Sequence, residues 1–210
     1  MLLRPPRLLF AAALLASLGA PLVHAQENTF SLEGYTLGAE ITAEDLEGFE
    51  CRDSRWREAQ RECRKHKTWK SVTATTAIML DTRARLVFMS KKFETIPLTE
   101  KSARDTIESY SKRFESDARI TTQRLGNNLV MMASWGSSEL RDFGIQARLA
   151  TIQGKAMDDE ILVDYLDNIQ KSAVDALPIY RFGPGESAVW VFFIKPDGQG
   201  WASARILRKR

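Results

Sequence analysis

The first 25 residues set the conditions under which the rest of the chain folds. Arg4 and Arg7 give a positive start, and no acidic residue precedes Glu27. Leu8 to Leu18 is apolar apart from Ser17; Gly19 and Pro21 then interrupt any helix. Val23-His24-Ala25 offers small or slender side chains at a cleavage point between Ala25 and Gln26. A charged start, a short apolar run and small residues are the order of a secretory signal peptide, so residues 1–25 are expected to be removed on export. The run is roughly half the about 20 apolar residues that a spanning helix needs. No cysteine lies near Ala25 to take a lipid, and Pro5 and Pro6 separate the two arginines, so a twin-arginine signal is missing. The general secretory route threads an unfolded chain. Residues 26–210 are therefore expected to fold in the periplasm or outside the cell, with no cofactor loaded beforehand and no later stretch of spanning length.

That compartment gives meaning to the remaining cysteines, Cys51 and Cys63, which have eleven residues between them. Under oxidising conditions a single close pair is expected to form a disulfide. Closing such a loop contributes on the order of 3 kcal/mol by restricting the unfolded chain. A thiol nucleophile or a metal site is the alternative, but two cysteines supply too few ligands for a metal.

Loss of Arg4 and Arg7 lowers the formal charge from +3 to +1, and what remains is unevenly spread. Arg52 to Lys70 holds eight basic residues against three acids, a local +5, and Arg205 to Arg210 adds four more with no acid. Subtracting both from +1 leaves −8 on the rest of the exported chain. A length of 185 residues suits one domain over 26–210, or two subdomains dividing near residue 119.

The pattern along the chain predicts an α+β fold: an antiparallel sheet built from hairpins, one long amphipathic helix and a few short helices. Thr42 reads as the N-cap of a short helix with Glu44 and Asp45 in its first turn. Residues 52–65 read as a solvated loop or short helix pinned by the disulfide. Ser71–Leu80 and Ala84–Phe93 form a hairpin around Asp81-Thr82. Its second strand alternates, with Leu86 and Phe88 on one face and Arg85, Val87 and Met89 on the other. Thr99 caps the clearest helix, whose apolar stripe is Ala103, Ile107, Tyr110 and Phe114. From residue 119 the pattern is mainly strand: Leu129–Ala133 after Gly126-Asn127-Asn128, then Ile145–Ile152 and Ile161–Leu166. Ser172–Leu177 reads as one helical turn stopped by Pro178, and Ala188–Ile194 and Trp201–Leu207 flank a turn at 195–200. Trp135, Trp190 and Trp201 lie in or beside these strands and are expected in the core.

Little catalytic chemistry is on offer. His24 leaves with the signal, so His66 is the one histidine of the exported chain, and it sits among like charges in Arg64-Lys65-His66-Lys67. Histidine zinc sites need more ligands than this. The nucleophile elbow is missing, and Gly183-Pro184-Gly185 is a turn rather than a phosphate loop. No catalytic residue, metal site or cofactor is assigned. Carboxylates are the only catalytic material present in quantity, and Asp158, Asp159, Glu160, Asp164 and Asp167 cluster within ten residues, open to acid–base hydrolysis of a polymer or to Ca²⁺, although the Ca²⁺-loop spacing is lacking.

Gly48-Phe49-Glu50-Cys51 with Cys63, Ser134-Trp135-Gly136, Leu162-Val163-Asp164, Ser172-Ala173, Leu177-Pro178-Ile179-Tyr180-Arg181 and Val189-Trp190 resemble a family of uncharacterised exported proteins from alphaproteobacteria. The resemblance implies a periplasmic setting and no particular activity. The start of the chain is also similar, in element order, to small envelope-binding domains of the β-lactamase-inhibitor-like type, and such likeness does not fix function. The expectation is a non-enzymatic, exported, envelope-associated binding protein. Its partner surface would be the basic segment 52–70, with Arg55, Trp56, Arg57 and Arg61 foremost. An anionic envelope component or another envelope protein is the expected partner, and nucleic acid is not. The alternative is a hydrolase of an envelope polymer acting through carboxylates in 158–167.

Overall fold

The computed structural model describes residues 29–70, 72–125, 127–140, 176–177 and 180–210. The chain opens with a small hairpin of β1 (Ser31–Leu32) and β2 (Tyr35–Thr36). It continues through β3 (Glu50–Asp53), β4 (Arg61–Trp69), β5 (Val72–Leu80) and β6 (Leu86–Pro97) to the helix α1 (Glu100–Phe114). β7 (Arg119–Leu125), β8 (Asn128–Leu140), β9 (Ala176–Leu177), β10 (Tyr180–Ile194) and β11 (Gln199–Lys209) complete it. The larger sheet has nine strands in the order β3-β4-β5-β6-β11-β10-β8-β7, with the two-residue β9 also against β10. Every pairing is antiparallel.

The fold is therefore mainly β, and the expected α+β layout with several helices is overturned. Among the described residues α1 is the single helix. Two segments account for the difference. Residues 52–65 form most of the β3–β4 hairpin rather than a loop or helix, because their polar side chains are cross-strand partners. Cys51 lies opposite Cys63, and Arg52 lies opposite Glu62 with Nη2 3.2 Å from its carboxylate. Oppositely charged residues facing each other across strands stabilise an edge hairpin that carries few apolar residues. The disulfide between Cys51 and Cys63 is present. At Thr42 the capping chemistry forms without a helix: Asp45 Oδ2 accepts from Thr42 N at 2.9 Å, and Thr42 Oγ1 accepts from Asp45 N at 3.3 Å. Only isolated i to i+3 bonds follow, and Gly48, at φ 75°, ends the run.

The β5–β6 hairpin turns at Asp81 as expected, but its alternation is broken. Leu80 pairs with Leu86 and Met79 with Phe88, so one extra residue of β6 bulges out. Past the bulge the faces exchange: Val87 and Phe88 share one apolar cluster, and Leu86 and Met89 share the other. The strands expected at 188–194 and 201–207 are the central parts of β10 and β11. Ala176 and Leu177, expected at the end of a helical turn, are strand. Ile145–Ile152 and Ile161–Leu166 lie outside the described residues.

Thr99 caps α1 as its sequence predicts, in a capping box with Ser102, and Ala103, Ile107 and Phe114 are buried. The helix lies on one face of the sheet. There the Phe114 ring meets Trp135 at 5.3 Å and Phe30 at 4.8 Å, while Tyr110 meets Trp190 at 5.1 Å. Trp135 fixes the helix end by donating Nε1–H to Ser116 O at 3.1 Å. The opposite face carries a second cluster that includes Phe88, Val130, Val191, Phe193 and Trp201. Trp135, Trp190 and Trp201 are all buried. β11 lies between β6 and β10, so strands from before and after residue 119 belong to one sheet.

Candidate functional site

Antiparallel pairing decides which basic residues become neighbours. β4 begins where β5 ends, since Arg61 pairs with Leu80 and Gln60 N donates to Leu80 O at 2.8 Å. The turn before β4 therefore sits beside the turn after β5, residues 81–85. β6 starts from that same turn, and its Phe88 pairs with Leu207 of β11. The last residues of β11 thus arrive at this end as well. Three segments far apart in sequence (54–61, 81–85 and 208–210) converge at one end of the sheet.

The convergence is held by named contacts. Arg210 N donates to Glu58 Oε2 at 3.2 Å, and Arg210 Nη2 lies 3.5 Å from Asp81 Oδ2. Asp81 Oδ1 accepts from Arg83 N at 2.8 Å and from Arg85 N at 3.0 Å, which closes the β5–β6 turn. Arg208 donates Nε–H to Glu186 Oε1 at 2.8 Å. Its guanidinium crosses Gly38, whose φ is 77° and where a Cβ would stand 2.3 Å from Arg208 Nη1. A small cleft of about 110 Å³ opens here, lined by Glu58, Asp81, Arg85, Arg208 and Arg210 among others. Burial pushes the Asp81 carboxyl up, but the two backbone donors with Arg210 and Arg85 outweigh it. The net pKa lies below the ordinary carboxylate value.

Around the cleft, Arg55, Arg57, Arg61, Arg83 and Arg85 are exposed. Among the described residues none of these five has a side-chain hydrogen bond or ion pair. By contrast Arg52 and Arg64 both contact the buried Glu62, at 3.2 and 2.6 Å. The basic segment 52–70 therefore divides. Arg55, Arg57 and Arg61 stand at the arginine-rich end. Trp56 is half-buried and packs against the second apolar cluster, so it anchors the turn as well as flanking the surface. Lys65, His66, Lys67 and Trp69 run to the opposite end of β4, about 26 Å from Arg61 at the rise of a β-strand. His66 accepts or donates at Nδ1 with Thr75 Oγ1, 3.0 Å away.

The second basic group, 205–210, divides too. Arg205 is buried on the sheet and donates to the Tyr180 hydroxyl, while Arg208 and Arg210 join the arginine-rich end. Arg83 and Arg85 were not recognisable as site residues, because only strand order brings them beside 55–61. Among the described residues no group of three or more His, Cys, Asp or Glu side chains could hold a metal ion. The carboxylates Asp158, Asp159, Glu160, Asp164 and Asp167, together with Ala25 and Gln26, lie outside the described residues. No protein-family model, no curated protein and no solved structure matches the chain.

Proposed function

We propose that this is an exported, non-enzymatic binding protein of the cell envelope whose arginine-rich end engages an extended polyanion. The observation that carries the reading is the set of exposed arginines at one end of the sheet: Arg55, Arg57, Arg61 and Arg83 have no side-chain hydrogen bond or ion pair among the described residues, and Arg85 beside them acts on Asp81 through its charge alone. Arginine presents a planar fork of donors that matches carboxylate and phosphate groups, and its weak hydration keeps the cost of contact low. The cleft itself is a poor pocket for a small anion. Its two carboxylates repel one, and Arg208 and Arg210 are already engaged with Glu186 and Asp81. Arginines spread over two adjacent turns suit a ligand with several charges along its length. An acidic polymer of the envelope has that form, and the signal-like order of residues 1–25 together with the Cys51–Cys63 disulfide supports the compartment.

The test is capture from the native envelope fraction by chemical crosslinking, followed by mass spectrometry of what is retained. The variant Arg55→Glu/Arg57→Glu/Arg61→Glu is expected to lose the retained anionic component while melting at the wild-type temperature. Undiminished capture by that variant would remove the proposal.

A further inference from the structure

The far end of β4 has a different character. Trp69 is 66% exposed, the most exposed large apolar side chain among the described residues. It forms, with Val72, the last pair of the β4–β5 ladder, so its ring stands at a hairpin tip. Lys70 has a left-handed φ of 53° and carries its ammonium 4.8 Å from the centre of the Trp69 ring. Lys67, two residues before Trp69, projects from the same face of the strand, and both are exposed. β3 pairs only with Arg61–Arg64, so no described strand covers this outer part of β4.

A sheet edge studded with lysines is ordinary protection against edge-to-edge aggregation. A bare tryptophan at its tip works against that purpose, because an exposed aromatic invites association. The combination fits a surface that is anionic outside and apolar just beneath. Tryptophan settles at the head-group level of a bilayer, where its ring is buried and its indole N–H stays wet, and lysine stems reach the charged layer. The local charge agrees: Lys67 and Lys70 flank the ring, while Glu94, in register with Thr73 and Thr68, stands two strands away and on the face opposite to Lys67 and Trp69.

We infer that the β4–β5 hairpin tip, with Trp69 between Lys67 and Lys70, docks peripherally on an anionic lipid surface. The arginine-rich end then stands about 26 Å away along β4, free to bind a second, polymeric anion. The docking depends on neither the identity of that polymer nor its binding.

The experiment is flotation of the protein, purified after expression of the full chain, with phosphatidylcholine vesicles with and without phosphatidylglycerol. Brominated lipids report contact by quenching tryptophan fluorescence. Binding is expected only to the vesicles with phosphatidylglycerol, with quenching that Trp69→Phe removes. Lys67→Ala and Lys70→Ala should each weaken binding about fivefold, and Trp69→Ala about tenfold. Arg55→Glu/Arg57→Glu/Arg61→Glu should bind vesicles nearly as the wild type does. All six altered side chains of the tip and its control are solvent-facing, and unchanged melting temperatures will confirm folding. No binding to the anionic vesicles, or binding that survives Trp69→Ala, overturns the inference. So does binding lost only in the arginine variant, which would assign the lipid to the other end. Retention of the tip on a soluble polyanion such as dextran sulfate, without vesicle binding, overturns the lipid as its occupant.

Discussion

Asp81 ties the arginine-rich end together through a single carboxylate. One oxygen accepts from the backbone of Arg83 and Arg85, and the other faces Arg210. Because its folded pKa is depressed, its contribution to stability is present above the unfolded value near 3.9 and is lost as pH falls through the folded value. Acid unfolding of the wild type should therefore be less steep in Asp81→Asn, read by circular dichroism below about pH 4. At neutral pH the same variant should be less stable by about 1 kcal/mol, since its Oδ1 still accepts from Arg83 and Arg85 but no longer carries charge. Wild-type acid sensitivity in Asp81→Asn would remove this role. Gly38 is the second residue to test. Its φ of 77° and the guanidinium of Arg208 across it both oppose a side chain. Gly38→Ala should cost about 1–3 kcal/mol from the left-handed backbone alone, measured by urea unfolding. Asp81 was visible in the sequence as a turn residue, because Asp-Thr between two β-branched or apolar runs signals a turn. Its electrostatic role was not, since Arg210 lies 129 positions away.

At the scale of elements, α1 and the β3–β4 hairpin show what local sequence carries. The helix was legible because its signals are local: Thr99 caps it and Ala103, Ile107 and Phe114 recur on one buried face. Thr99→Ala should lower stability by about 1 kcal/mol and Thr99→Ser should restore it, read from denaturation midpoints. No loss in Thr99→Ala would mean that packing against Trp135 and Trp190 holds the helix without its cap. The hairpin is hidden in the linear pattern because its determinants lie across strands. Cys51 opposite Cys63 and Arg52 opposite Glu62 look like scattered polar residues until they are paired. Replacing both cysteines by alanine should cost about 3 kcal/mol, by the loop-closure account. If stability is unchanged, the strand pairing alone holds this edge. The bulge at Val87 is a third case: one extra residue exchanges the faces of β6, and no alternation pattern announces it.

Across the whole molecule, the proposed binding depends on where strand order sends charge. β11 lies between β6 and β10, so the carboxy-terminal basic residues meet the 54–61 and 81–85 turns instead of standing alone. The sequence marked 52–70 as basic but not that β4 would stretch it across the sheet, with arginines at one end and Trp69 at the other. Long-range antiparallel order is set by the burial of two faces at once, which a linear pattern encodes only weakly. The most direct test of the polyanion claim is a calorimetric titration with dextran sulfate at several salt concentrations. It compares the wild type with Arg55→Glu/Arg57→Glu/Arg61→Glu. The wild type should bind with an affinity that falls as salt rises, and the variant should bind about tenfold more weakly or worse. Equal affinities for the two proteins, or no binding by the wild type at low salt, would contradict the account.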